Sequence, residues 1–162
     1  MIITSTQLGQ AMTVSREGPN AIMDATLQPG ASVPPHRHAD QDERFSVLAG
    51  EAVIWIGPRR RRLTSGDSAT VPHGSTHSVR NAGSEPLRLR AELHPGLNAE
   101  DFFSDLYALA DGGHVTRRGL IDPHGALLLA RNHGEQTPML PIFPIALQRR
   151  LLRALHRPVP SK

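Results

Sequence analysis

Residues 30–81 carry four side chains that together can hold a divalent cation: His36, His38, Glu43 and His77. Imidazole and carboxylate donors suit Mn, Fe, Co, Ni, Cu or Zn, and affinity order alone does not choose among them. Four protein donors around an octahedral ion leave two positions for water, substrate or O2. Such a centre can polarise a carbonyl or enolate as a Lewis acid, or activate oxygen as a redox site. No second carboxylate, Ser/His/Asp set or nucleotide-binding glycine loop stands out elsewhere. The chain has no cysteine, which excludes disulfides, thiolate zinc sites and cysteine nucleophiles. The chemistry of this chain therefore rests on the metal.

The elements needed to position those donors can be read from local pattern. Side chains alternate across a strand, so His36 and His38 point the same way, about 6–7 Å apart. The polar tract Ala39-Asp40-Gln41-Asp42 reads as a bend. Glu43 then opens a strand on which Phe45 and Val47 share its face, so the carboxylate looks into an apolar interior. Pro72-His73-Gly74 is a turn signal, and His77 enters a strand running to Val79. His73 is either a neighbour of the site or a loop histidine facing water. Trp55 and Phe45 are candidates for an apolar cavity wall or for core packing.

Two spaced motifs frame the donors. The first runs Gly30, His36, His38, Glu43, Gly50, and the second Gly66, Pro72, Gly74, His77, Asn81. They resemble the two signature motifs of the cupin superfamily, and all ten fixed positions are met. The resemblance covers about residues 20–94. It implies a mainly β fold, a double-stranded β-helix or jelly-roll barrel. It further implies that His36, His38, Glu43 and His77 bind one divalent transition-metal ion per chain (Fe, Mn, Ni, Zn, Co or Cu), with Glu43 doubling as ligand and catalytic proton acceptor.

Strand signals agree with an all-β barrel. Short apolar or β-branched runs lie at 22–27, 45–48, 52–56, 69–71, 77–79 and 87–93, with Gly, Pro and Asn turns between them. Residues 87–93 alternate strictly between apolar and polar, as a strand with one buried face does. Gly50, Gly66 and Gly74 are structural, and Asn81 bonds or caps the turn that it opens.

The sequence divides into a barrel over residues 1–97 and a helical C-terminal extension over 98–162. In the extension, Asn98 can cap a helix with Phe102, Leu106 and Leu109 on one face. Asp122-Pro123 opens a second helix to Asn132. A third, 145–157, carries Leu147, Leu151, Ala154 and Leu155 on one stripe, to pack on the barrel or a second subunit, or to meet a membrane surface or partner. The formal charge is +3, from 17 arginines and one lysine against 15 acids. Residues 111–162 hold eight basic and three acidic side chains. The run Arg59–Arg62 follows Gly57-Pro58 and reads as a solvated hairpin tip, because no aromatics are interleaved for base stacking. No nucleic-acid partner is expected.

No basic start followed by a long apolar stretch appears at the N-terminus, and no apolar run approaches a membrane span. Cytoplasm is the expected compartment and a homodimer the expected assembly. Three functions follow from the metal. The first is a dioxygenase-like enzyme acting on a small oxygenated organic molecule. The second is a non-redox isomerase, decarboxylase or lyase, and the third a non-catalytic small-molecule-binding module.

Overall fold

The computed structural model describes residues 2–116 and 120–156. Among these residues ten antiparallel strands form two facing sheets. The strands are β1 (Ile2–Ser5), β2 (Gln10–Glu17), β3 (Asn20–Leu27), β4 (Ser32–His36), β5 (Asp42–Ala49), β6 (Glu51–Ile56), β7 (Arg59–Thr64), β8 (Ser68–Val71), β9 (His77–Asn81) and β10 (Leu87–His94). One sheet has the order β1-β2-β3-β10-β5-β8, the other β4-β9-β6-β7. This is the mainly β, double-stranded β-helix architecture expected from the motifs. Three helices follow: α1 (Ala99–Asp111), α2 (Pro123–His133) and α3 (Ile145–Leu155). No described helix is long and apolar enough to cross a membrane.

Alternation decides which residues fill the space between the sheets. On β10 Leu87, Leu89, Ala91 and Leu93 are buried and their neighbours are not. On β5 Glu43, Phe45 and Val47 turn inward. These join Ile54, Leu63, Val71 and Val79 in one core. Gly50 has φ +85°, and a Cβ there would lie 3.0 Å from the Pro86 carbonyl oxygen, so the β5–β6 turn requires glycine. Gly96 lies outside the motifs but is as constrained, since a Cβ would stand 2.4 Å from the Ala21 nitrogen. Asn81 is buried and knits the barrel end. Its amide donates to the Leu27 and Glu85 carbonyls, and its oxygen accepts from Gly83 N–H.

The Arg59–Arg62 run is not a loop. It forms most of β7, the edge of the four-stranded sheet, with all four side chains exposed. Charge along an open edge discourages pairing with another chain. Arg60 also stacks over Trp55, its register partner on β6, at 5.8 Å from the ring centre.

The helices differ from expectation in detail. Asn98 precedes α1 but makes no side-chain cap; its amide instead approaches His133 Nδ1 at 3.0 Å. The buried face of α1 is Ala99, Phe102, Tyr107 and Ala110, so it is rotated away from Leu109. Tyr107 joins the barrel core and its hydroxyl donates to Gln10. Ser5 donates to Asp111 at the far end of the helix. Asp122 does cap α2, accepting from Gly125 N–H at 2.7 Å. On α3 only Leu152 is buried; the stripe of Leu147, Leu151 and Leu155 faces outward instead of packing on the barrel. Arg157, expected in this helix, lies outside the described residues.

The extension grips the barrel at one place in particular. Met139 exchanges both backbone hydrogen bonds with Arg37, at 2.8 and 3.1 Å, adding one bridge to the outer edge of β4. The Arg37 side chain donates to the Leu140 and Phe143 carbonyls. Ala39, Ala130, Met139 and Leu152 form a small second core with Ile145.

A chain ending at residue 97 loses the burial of Phe102 and Tyr107, each worth roughly 1.5–3 kcal/mol. It is expected to melt well below the full chain in a thermal unfolding scan followed by circular dichroism. Equal melting would show that α1 adds nothing to the folded core.

Candidate metal centre

Three strands, two from one sheet and one from the other, and one loop assemble the centre. His36 ends β4 and His77 begins β9, where they are register partners. Glu43 lies on β5, across from Leu93 of β10 and Val71 of β8. Both are fully buried leucine or valine side chains, so the carboxylate sits between apolar neighbours. His38 lies just past the end of β4, in the stretch that Met139 clips through Arg37.

The donor atoms of His36, His38, Glu43 and His77 all lie within 4.8 Å of one another. His38, Glu43 and His77 are buried, at 7%, 7% and 1% exposure, and His36 is half-buried. Glu43 Oε2 is 2.8 Å from His77 Nε2 and 3.3 Å from His38 Nε2. The His36 ring centre is 4.2 Å from that of His77 and 5.0 Å from that of His38. Phe45 backs the site, 5.9 Å from the His77 ring.

Backbone carbonyls orient two of the imidazoles. His36 Nδ1–H donates to Pro34 O at 2.9 Å, and His77 Nδ1–H to Ser75 O at 3.1 Å. This fixes the tautomer and leaves Nε2 turned toward the cluster, the arrangement expected of metal-binding histidines. Pro34 and Ser75 were not evident as participants in the sequence. The signal is positional: each stands two residues before the histidine that it holds.

Electrostatics match a cation site. Burial alone would raise Glu43, but the hydrogen bonds from His38 and His77 hold it well below the usual carboxylate range. It is therefore a permanent anion. Burial pushes His36 down to about 3, helped by the neighbouring His77 and His38, so its lone pair is available across the ordinary pH range. Burial would also lower His77, yet the hydrogen bond and charge of Glu43 carry it above its usual value. A buried anion and three convergent imidazoles, with His77 giving up the proton that it shares with Glu43, fit a divalent ion of the transition series.

The other candidates fall outside the cluster. His73 is exposed and pairs with Asp42 at 2.9 Å. Trp55 is half-buried on the outside of the four-stranded sheet, lining a shallow groove with Pro35, Gly57 and Ser78. Phe45 belongs to the core.

Residues 23–94 match the family profile described as the cupin domain. An uncharacterised protein of Aquifex aeolicus is 36% identical over 67 residues, 41% of this chain and 54% of that protein. The oxalate-binding protein of Thermotoga maritima is 32% identical over 67 residues, 41% of this chain and 55% of that one. The chain thus spans about half the length of both curated relatives. Among solved structures, KdgF from Halomonas sp. superposes with a TM-score of 0.54 at 20% identity, over 60% of this chain and 89% of that one. That likeness is one of fold.

His36→Ala/His77→Ala is expected to weaken divalent-metal binding by at least on the order of a hundredfold, more than loss of an outer partner costs. Isothermal titration with Mn(II) and Zn(II) measures it, and near-stoichiometric binding by the double variant would refute the ligand set. The same titration run against pH checks the proton that a cation displaces. His77, raised by Glu43, holds that proton. Affinity falls as pH drops below the raised value, with proton release on binding.

Proposed function

This chain belongs to the cupin superfamily, and we propose that it is a metal-dependent enzyme of dioxygenase type acting on a small oxygenated organic molecule. The observation that supports this most is the buried cluster of three imidazoles and one carboxylate within 4.8 Å. His36, His38, Glu43 and His77 would hold one divalent ion, with Fe, Mn or Ni favoured. Such an ion, when bound, supplies Lewis acidity toward a substrate oxygen and, if redox-active, O2 activation.

The chain's own residues have distinct tasks in this reading. Glu43 provides the negative charge that balances the cation and accepts a proton from the substrate. Leu93, Val71 and Phe45 keep water from its buried side, which strengthens every charge interaction inside. The carbonyls of Pro34 and Ser75 fix the imidazole rings so that little reorganisation accompanies turnover. The Thermotoga maritima relative is named an oxalate-binding protein, which makes small carboxylates the first candidates for the substrate.

The unit that carries this function is the barrel of residues 1–97, with 98–162 as its helical extension. We further propose a homodimer. At β1 and β8 the six-stranded sheet has no further strand among the described residues, and open edges of this kind are commonly paired. Light scattering at micromolar concentration is expected to give twice the chain mass; a monomer would refute this.

Oxygen uptake by protein loaded separately with Fe(II), Mn(II), Ni(II) and Zn(II), with oxalate and a panel of small hydroxy and keto acids, tests the enzymatic reading. Uptake is expected with a redox-active ion, and neither with Zn(II) nor in Glu43→Gln. Turnover without oxygen and equally with Zn(II) would overturn it in favour of an isomerase, decarboxylase or lyase. Calorimetric binding without any turnover would make the chain a binding module.

A further inference from the structure

The third helix presents the wrong face to solvent for a helix that only packs on a barrel. Its spacing places Leu147, Leu151 and Leu155 on one side and Ile145 and Leu152 on another. The second side is the one used, since Ile145 and Leu152 join the small core beneath Met139. The first is open: Leu147 is 49% exposed, Leu151 53% and Leu155 38%. The lead-in extends this surface, with Ile142 79% and Phe143 46% exposed. The helix is anchored in this orientation. Arg149 pairs with Asp40 at 3.0 Å, and Gln148 bonds the Leu140 and Phe143 carbonyls.

Charge says what covers the face. Helix α3 contains three arginines, Arg149, Arg150 and Arg153, and no acid. Over residues 120–156 four arginines stand against two acids, Asp122 and Glu135, and the Asp122 carboxylate is taken by Gly125 N–H and His114. By helical spacing Arg150 borders the leucine stripe on the side away from the barrel, and it is exposed. An apolar stripe edged by arginine on a helix without acids is the pattern of a segment lying in a membrane interface. Leucine and phenylalanine enter the boundary of the acyl chains while arginine meets lipid phosphates. A second copy fits less well, because stripe-to-stripe pairing sets the bordering Arg150 of one helix against that of the other with no acid on α3 to offset them.

We propose that the outward face of α3 and residues 142–143 docks this protein on an anionic lipid bilayer. The site is peripheral; nothing in it spans the membrane. Because α3 also packs on the loop that carries Ala39, docking would hold the barrel's metal-binding end near the lipid surface.

Co-sedimentation of the full chain with vesicles of phosphatidylcholine alone, and of phosphatidylcholine mixed with phosphatidylglycerol, tests this. Binding is expected only to the anionic vesicles and is weakened by added salt. Arg150→Glu reverses one charge and lowers partitioning on the order of tenfold. Leu147→Ser/Leu151→Ser removes two apolar anchors and lowers it roughly a hundredfold. Metal content and far-UV circular dichroism of each variant show that it remains folded. Absence of pelleting at either composition, equal pelleting with neutral vesicles, or wild-type pelleting by the leucine variant would overturn the proposal. So would a dimer that the leucine variant dissociates, since the stripe would then be covered by a second copy.

Discussion

A carboxylate placed between Leu93 and Val71 is the constraint around which this structure is organised. An ionised group in such surroundings loses its hydration and survives only where other charges and hydrogen bonds replace it. Glu43 has His77 Nε2 at 2.8 Å and His38 Nε2 at 3.3 Å, and His36 lies against the His77 ring. The four side chains explain one another. The imidazoles need the anion to balance a cation, and the anion needs the imidazoles to remain charged in an apolar barrel. Removing one partner of such a buried set leaves the others uncompensated, which is costlier than the pairing is worth.

The barrel satisfies this constraint by bringing two sheets to bear on one point. Glu43 comes from the six-stranded sheet, and His36 and His77 from the four-stranded one. Antiparallel register fixes both contributions: a slip of one residue would turn Glu43 outward and place Asp42 or Arg44 inside. His38 is the exception. It stands beyond the last ladder bond of β4 and is held by a loop, whose backbone the Met139 bridge steadies.

Much of this was legible before the fold. Alternation along residues 87–93 and 43–47 gave inward faces that the structure keeps, and the spacing of His36, His38, Glu43 and His77 brought together the four side chains that in fact converge. What escaped was set by tertiary context. The arginine run reads as a hairpin tip because it follows the Gly57-Pro58 turn signal, yet pairing with Val53–Ile56 holds it as a strand. β1 is only four residues long, and β2 mixes Met12 and Val14 with Gln10, Ser15, Arg16 and Glu17, so pairing with β3 decides its place. Asn98 has the composition of a cap, but a buried His133 competes for its amide. The α3 stripe was visible as a stripe, though periodicity alone cannot say which of two apolar faces turns inward.

The Arg37–Met139 bridge carries one more consequence. Arg37 stands between two metal-binding candidates, and its backbone is paired with a strap just over a hundred residues later in the chain. Opening of the strap and loosening of the His36–His38 stretch therefore belong to one cooperative unit. A cation that favours the closed arrangement must, by reciprocity, protect the Met139 amide from exchange, and whatever pulls the strap away must weaken the affinity for the cation by the same factor. Through one backbone bridge, a late segment of the chain is coupled to how firmly the centre of the barrel can hold an ion.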